Sequence, residues 1–345
     1  MEKKLKHLII FIVLVLTFNC FCVTTFARDN TQSESEDITQ PIISSGKICS
    51  YSKQYSEKNI AVSNLLKMGW TMTEISDLSE DEILKYSNVV SYETSESYIC
   101  SYTDENNEEQ VVSVPKDVFD HVVSKSKAKE NENAGIEISN MSSNGKLSIS
   151  PIWSSEYYDA YVFSGKMSQK ANLTWMGNNT YFSNYRCEWV TEPNVKWRDI
   201  MYICNNGGLN LQTDTAYFVY KYYVTLSTTG ERFEEVHEYG NTSRFITKSM
   251  YDNGIGYKFE LDGGTTMSSS GSQYRSTDTH RMYMSHNLTV KSGYNSVVTS
   301  AGYYHATSKL ATTDITGITS TGATLSSNLF MELCNPTLYL NATNY

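Results

Sequence analysis

The chain contains 345 residues, and its 38 acidic side chains outnumber the 28 basic ones, which gives a formal net charge of -10. This balance disfavours bare nucleic acid as a partner, because a phosphate backbone repels an acidic surface. Hydrophobic residues make up 40 % of the chain, and a chain of this length can bury a core without depending on disulfides. We therefore expect a globular protein that binds no nucleic acid.

The first 27 residues have the pattern of a secretory signal peptide. Three lysines among the first six residues precede an apolar run over residues 8–18, and the small residue Ala27 lies just before Arg28. The apolar run is shorter than the roughly 20 residues that a membrane-spanning helix needs. We expect cleavage between Ala27 and Arg28, a secreted, extracellular mature protein, and no integral membrane segment after cleavage.

Residues 28–48, which follow the predicted cleavage site, are polar and acidic and contain no aromatic side chain. A segment of this composition buries too little apolar surface to offset the entropy lost on ordering. We predict that residues 28–48 form a disordered tether.

Residues 49–130 are predicted to form a small α+β module that begins with three short helices. Ser56, Thr71 and Ser79 each stand where a hydroxyl can accept a hydrogen bond from the backbone three residues later, which is the pattern of a helix N-cap. Gly69 would end the first helix, because glycine readily adopts the left-handed conformation that closes a helix.

The second half of this module is predicted to contain a hairpin and a helix. Two β-prone runs, 96–103 and 108–114, flank a polar turn cluster, which is typical of a β-hairpin. A helix over residues 115–129 would pack across this hairpin through its apolar face. Residues 131–150 are polar again, so we predict a linker there.

Residues 151–345 are predicted to form an all-β domain, because short β-prone runs alternate with Gly, Asn and Ser clusters and no amphipathic helix is visible. Without helices to cover a parallel sheet, this pattern favours an antiparallel β-sandwich of Greek-key or jelly-roll type. The predicted strands are 157–165, 186–190, 199–204, 217–226, 232–239, 256–261, 282–290, 301–306 and 329–333.

Aromatic residues suggest a binding surface in this domain, which holds 20 of the 26 tyrosines. Around Trp175, aromatic rings alternate with amide side chains, as in a glycan-binding loop. The predicted binding residues are therefore Trp175, Asn178, Tyr181 and Tyr185. The alternative is that these tyrosines are ordinary half-buried strand residues.

No metal site or cofactor is predicted. His280 and His286 alternate with Met282 and Met284, and such ligands suit copper. In a strand, however, the two histidines lie about 20 Å apart and cannot share an ion. Because the same face continues into apolar residues, we predict that both histidines face the core.

Five cysteines follow the predicted cleavage site, so at least one thiol is unpaired within a monomer. Cys187 and Cys204 lie on two predicted strands that flank one loop. If these strands are neighbours, the two cysteines can form a disulfide across the loop. Two unlinked buried thiols are the alternative.

The sequence contains no recognisable hydrolase or zinc motif. A secreted acidic chain with a small helical module and a larger β-domain resembles, in layout only, many extracellular proteins of Gram-positive bacteria. Our leading hypothesis is a non-enzymatic module on a β-sandwich that binds a glycan or an envelope protein. A secreted hydrolase acting on polysaccharide is the alternative, which two carboxylates facing one cleft would favour. A structural or self-associating surface protein is the third hypothesis.

Overall fold

A computed structural model describes residues 42–48, 56–103, 109–133, 164–226, 229–240, 245–263, 275–294, 296–334 and 337–343. All of these residues belong to one unit, Ile38–Tyr345. The predicted cleavage site at Ala27 and Arg28 lies outside the described residues, as does most of the predicted strand 157–165. In the described part of the chain, no helix is both long and apolar enough to span a membrane.

The predicted helices and their N-caps are confirmed. The side chains of Ser56, Thr71 and Ser79 accept hydrogen bonds from the backbone N–H groups of Asn59, Glu74 and Glu82. The helices are α1 Glu57–Lys67, α2 Met72–Ser76, α3 Glu80–Leu84 and α4 Lys116–Asn133, and a 3-10 helix, Lys85–Asn88, follows α3.

Sheet 1 contains eight antiparallel strands in the order β1-β2-β4-β5-β11-β7-β8, and β3 pairs with β2 beside β1. The insertion of β11 between β5 and β7 makes the order non-sequential, as in a Greek key. The strands are β1 Ile42–Lys47, β2 Ser91–Thr103, β3 Glu109–Val114, β4 Ser164–Gly177, β5 Thr180–Trp189, β7 Leu209–Leu226, β8 Arg232–Glu238 and β11 Arg275–Val290.

Sheet 2 contains six antiparallel strands in the order β15-β12-β6-β10-β9, and β16 also pairs with β12. Its strands are β6 Arg198–Asn205, β9 Thr247–Tyr251, β10 Gly254–Glu260, β12 Ser296–Ala306, β15 Met331–Leu333 and β16 Leu338–Thr343. A separate hairpin, formed by β13 Ile315–Thr319 and β14 Gly322–Leu325, packs on the outer side of β6.

The two sheets enclose one apolar core, so the predicted antiparallel β-sandwich is confirmed. Phe218 of β7 stacks on Tyr257 of β10 with 4.7 Å between ring centroids, and it also contacts Phe259. Met284 of β11 and Tyr303 of β12 are fully buried in the same core. Core side chains alternate along each strand with residues of the opposite face, as the two-residue period of a strand requires.

The predicted tether and modules differ from the observed strand pairing in two places. Residues 42–47 belong to the predicted tether, but they form β1. Their backbone pairs with the edge of β2. β2 itself pairs with β4 over Ser91–Ser101, so strands from both predicted modules share one sheet. The predicted linker 131–150 falls outside the described residues from residue 134 onward.

The outer face of sheet 1 is covered by α1 to α3 and carries buried charges. Arg186 of β5 donates to Asp77 Oδ2 at 2.9 Å, and Arg281 of β11 donates to the other oxygen of the same carboxylate. Lys170 of β4 pairs with Glu74 Oε1 at 3.2 Å. Asp77, Arg186 and Arg281 each keep about 5 % of their surface exposed. The helices therefore dock on this face through ion pairs as well as apolar contacts.

Candidate functional site

The four residues predicted to bind a ligand do not share an open surface. Tyr181 and Tyr185 keep 1 % and 0 % of their surface exposed and belong to the core between the sheets. Trp175 packs against that core from its edge, and Asn178 lies in the turn between β4 and β5 with a φ of 49°. Trp175 and Tyr181 line a small cavity of about 190 Å³, but Asn178 and Tyr185 do not, so the four residues do not form one binding surface.

Cys187 and Cys204, the possible disulfide pair, are both free thiols in the structure, which corresponds to the alternative of two unlinked buried thiols. The pairing required β5 and β6 to be neighbours, but these strands belong to different sheets. Cys187 faces the core, whereas Cys204 packs beneath the β13–β14 hairpin, where its Sγ lies 2.8 Å from Ser300 Oγ.

His280 and His286 are fully buried, as predicted for the core face of β11. Burial, aided by the charge of Lys85, lowers the pKa of His286 to about 3, so this ring is neutral at physiological pH. In the described part of the chain, no group of three or more His, Cys, Asp or Glu side chains could hold a metal ion.

A cleft of about 350 Å³ opens where the ends of several strands meet between the two sheets. We call it the inter-sheet cleft. Its walls come from β2 to β4, from the loop between β5 and β6, and from the ends of β12 and β15. This volume lies in the range of about 300–1,000 Å³ that is usual for ligand sites. Its larger polar and aromatic lining side chains are Lys166, Trp189, Glu192, Asn194, His305, Glu332 and Cys334.

A buried carboxylate orients the histidine of the cleft. Asp199 is fully buried and accepts from His305 Nδ1, whose distance to Oδ2 is 2.9 Å, from the Ala306 N–H at 2.9 Å and from the Tyr303 hydroxyl. Burial lowers the pKa of His305, but the negative charges of Asp199 and Glu332 outweigh burial and raise it overall. The ring therefore carries a positive charge over a wider pH range than a free histidine.

Two side chains, His280 and Lys196, contact the same oxygen of Glu192. His280 Nε2 lies 2.9 Å from Glu192 Oε2, and Lys196 pairs with the same oxygen. The Tyr220 hydroxyl contacts the other ring nitrogen of His280, at 2.6 Å from Nδ1. Burial raises the pKa of Glu192, but His280 and Lys196 outweigh burial and lower it overall. Glu192 is therefore an anion at neutral pH.

The second oxygen of Glu192 is enclosed by protein. Oε1 is buried and has no hydrogen-bond partner among the described residues, as is also true of Tyr257 Oη and His286 Nδ1. The exposed part of Glu192, 32 % of the side chain, is what a molecule in the cleft can reach.

Trp189 and Cys334 complete the apolar part of the cleft. Trp189 Nε1 donates to the Tyr303 hydroxyl at 3.1 Å, which fixes the ring beside His305. Burial, with the charges of Asp199 and Glu332, raises the pKa of the Cys334 thiol well above its usual range. The thiol therefore stays protonated at neutral pH, which disfavours a role as a resting nucleophile.

None of the residues that line the cleft is among the predicted binding residues. Glu192 lies in the loop between β5 and β6, whereas His305 and Glu332 face each other across the β12–β15 pair. One signal was available: the acid-rich and Trp-rich stretch 188–199 separates two strong strands, and such loops often carry binding residues.

No protein-family model matches this sequence, and no curated protein matches it. Solved structures align with it at low identity. ACE19, the collagen-binding subdomain of the Enterococcus faecalis surface protein ACE, is 8 % identical over 49 % of this chain and 90 % of its own, with a TM-score of 0.25. The collagen-binding domain from a Staphylococcus aureus adhesin is 10 % identical over 47 % and 88 %, with a TM-score of 0.23.

The C-terminal domain of the Streptococcus agalactiae AgI/II polypeptide BspA covers more of the chain. It is 8 % identical over 72 % of this chain and 91 % of its own, with a TM-score of 0.26. TM-scores of this size do not establish a shared fold or function. The β-sandwich assignment therefore rests on the strand pairing described above.

Proposed function

We propose that this chain is an extracellular, non-enzymatic binding module that holds its ligand in the inter-sheet cleft. The observation that carries the proposal is the lining of the cleft, where the anionic Glu192 side chain, 32 % exposed, lies with Trp189, Lys166 and Asn194. A hydrogen bond to a charged group contributes about 1.5–3 kcal/mol. A ligand that donates to the Glu192 carboxylate therefore gains affinity from it.

The other lining side chains favour a saccharide as the ligand. Sugar hydroxyls both donate and accept, so they can donate to Glu192 and accept from Lys166 and Asn194. Trp189 supplies the apolar ring against which the carbon face of a sugar packs. A cleft of this size admits a sugar unit more readily than the broad face of an envelope protein, so we favour the glycan over the protein ligand.

Titration calorimetry with soluble peptidoglycan fragments, bacterial polysaccharides and host glycans tests the proposal. We expect at least one glycan to bind, and E192Q to weaken its binding about tenfold, because a charge-assisted hydrogen bond contributes about 1.5–3 kcal/mol. E231Q is the matched control, since Glu231 is exposed and does not line the cleft. Absence of binding at about 1 mM glycan, a concentration that detects an affinity of about -4 kcal/mol, would contradict the proposal.

A secreted hydrolase is the second candidate function, because Glu192 and Glu332 line the same cleft. Most glycoside hydrolases place two carboxylates beside the scissile bond. The assay is the release of new reducing ends from the same polysaccharides. Release that disappears separately in E192Q and E332Q would establish an enzyme, whereas binding without release would support the non-enzymatic module.

A further inference from the structure

Two paired loops beside the inter-sheet cleft present apolar side chains to solvent. Leu310 and Leu329 are 72 % and 66 % exposed, the highest values among the large hydrophobic residues that the structure describes, and their neighbour Phe330 is 37 % exposed. We call these three residues the apolar rim. The loops that carry them are joined by hydrogen bonds from the Thr307 N–H to the Phe330 carbonyl and from the Thr313 hydroxyl to the Ser327 carbonyl. Exposed apolar residues on neighbouring loops mark a site of interaction.

The local structure holds the rim in place. The backbone N–H groups of Leu310 and Leu329 donate to Ser308 Oγ and Ser327 Oγ at 3.2 and 3.1 Å, so each leucine follows a serine turn of the same kind. Phe330 has a φ of 64°, a conformation that costs energy for an aromatic residue. The exposure of the rim is therefore built by specific hydrogen bonds and a strained backbone.

The rim is continuous with the cleft. Thr307 and Glu332 line the cleft, and the Thr307 N–H donates to the carbonyl of Phe330 at 2.9 Å. The exposed Val111 of β3 lines the cleft as well. A molecule that leaves the cleft past Thr307 and Glu332 meets the apolar rim next.

We propose that the ligand is an amphiphile, with a sugar-like head in the inter-sheet cleft and an alkyl chain against Leu310, Leu329 and Phe330. This inference rests on the proposed function, because the head occupies the site that contains Glu192. The polar side chains that would bind the head line the cleft itself, so the chain leads out of it. The rim is the adjacent surface on which an alkyl chain loses contact with water.

Calorimetry with maltose, hexyl maltoside and octyl maltoside, each below the concentration at which it forms micelles, tests the inference on the mature protein. We expect affinity to rise with chain length, by up to about fourfold for each methylene that the rim covers. The triple variant L310S/L329S/F330N should lose this dependence on chain length. Asparagine is used at position 330 because it tolerates the left-handed conformation.

The matched control is M72S, because Met72 is 62 % exposed and lies on α2, away from the cleft. M72S should keep the full dependence on chain length. A dependence that survives in the triple variant overturns the inference. A flat response to chain length, with glycan binding still present in the screen described above, also overturns it and leaves the proposed function intact.

A lipid surface is the competing occupant of the rim. Flotation with vesicles of phosphatidylcholine and phosphatidylglycerol distinguishes a lipid surface from a single amphiphile as the occupant. Vesicle binding that needs the rim but is unchanged in E192Q would overturn the inference, because the cleft would then take no part. No vesicle binding, together with a chain-length response that E192Q weakens, would support it.

Discussion

The two faces of sheet 1 are both buried, but by different chemistry. On the inner face, Phe218 and Met284 pack into the core between the sheets. On the outer face of the same strands, Tyr283 packs against the apolar side of the helices, and Arg186 and Arg281 share Asp77 beneath them. The outer face therefore adds an ionic layer to its apolar contacts.

This difference shows what each layer contributes. Apolar burial stabilises the sandwich wherever it occurs, because it has no preferred direction. A buried ion pair gains little net free energy over an apolar contact, yet removing one partner is costly because the other charge remains buried. We infer that the ionic layer fixes where the helices dock, while the aromatic layer holds the two sheets together.

The largest expected effect is on the aromatic layer. Phe218→Ala removes the ring that stacks on Tyr257 and Phe259, and we expect the free energy of unfolding to fall by about 3–5 kcal/mol. Urea denaturation measures this loss. Phe245→Ala is the control, because Phe245 is 65 % exposed, and its loss should stay below about 1 kcal/mol. Equal losses in the two variants would show that burial in the aromatic layer does not determine the loss.

The next effect concerns Asp77. Asp77→Ala removes the carboxylate that the buried Arg186 and Arg281 share, while Glu188 and Glu234 still pair with them, so we expect a loss of about 1.5–3 kcal/mol in the free energy of unfolding. The exposed residue Asp214 provides the control, since Asp214→Ala should change stability by less than about 0.5 kcal/mol. Adding R281M to the Asp77 variant should restore part of the loss, because one of the two guanidinium groups that shared Asp77 is then absent. A further loss in the double variant would show that excess buried positive charge is not the cause.

Local patterns explain why much of the fold could be predicted. The N-caps at Ser56, Thr71 and Ser79 depend on residues only three positions away, and the strands depend on alternation over a few residues. The pairing of β2 with β4 does not follow from the sequence, because it joins residues far apart in the chain, across β3, α4 and the polar residues 131–150. The change in composition at residues 131–150 does not coincide with a division of the sheet.

The candidate site was less predictable than the fold for the same reason. His305 meets Glu332 only through the β12–β15 pair, and Glu192 reaches the cleft on a separate loop. Tyr181 and Tyr185 illustrate the opposite error. They lie four residues apart, which is two strand periods, and the same face of β5 continues through Cys187 to Trp189. This alternation indicates a core face, whereas aromatic density beside amide side chains indicates a binding surface, and the alternation is the better guide here.

A smaller, pH-dependent effect tests the ionic layer through Glu74. Burial raises the pKa of Glu74, but Lys170 and Arg186 outweigh burial and lower it below its usual value of 4.5. A carboxyl with a lowered pKa stabilises the fold above about pH 4.5, and this contribution is lost as the pH falls through the lowered pKa. The stability difference between the wild type and Glu74→Gln should therefore be constant near neutral pH and shrink below about pH 4.5.

Thr71→Ala is the matched control for Glu74→Gln. It removes the uncharged half of the same capping box, so we expect a loss of about 1 kcal/mol that does not change with pH. Denaturation series at several pH values measure both variants. A difference for Glu74→Gln that stays constant down to about pH 3, well below the usual carboxyl range, would show that its ion pairs contribute nothing.

The smallest effect is expected for an ion pair outside the buried layer. Lys58 and Glu80 join α1 to α3 at 2.9 Å, with side chains 53 % and 65 % exposed. A double-mutant cycle with Lys58→Ala and Glu80→Ala should give a coupling energy of about 0–1 kcal/mol. The coupling should vanish at about 1 M salt, where charges are screened beyond about 3 Å. Solvent already stabilises both of these charges. A coupling energy as large as the loss expected for Asp77→Ala would therefore mean that burial does not explain the loss of stability at Asp77.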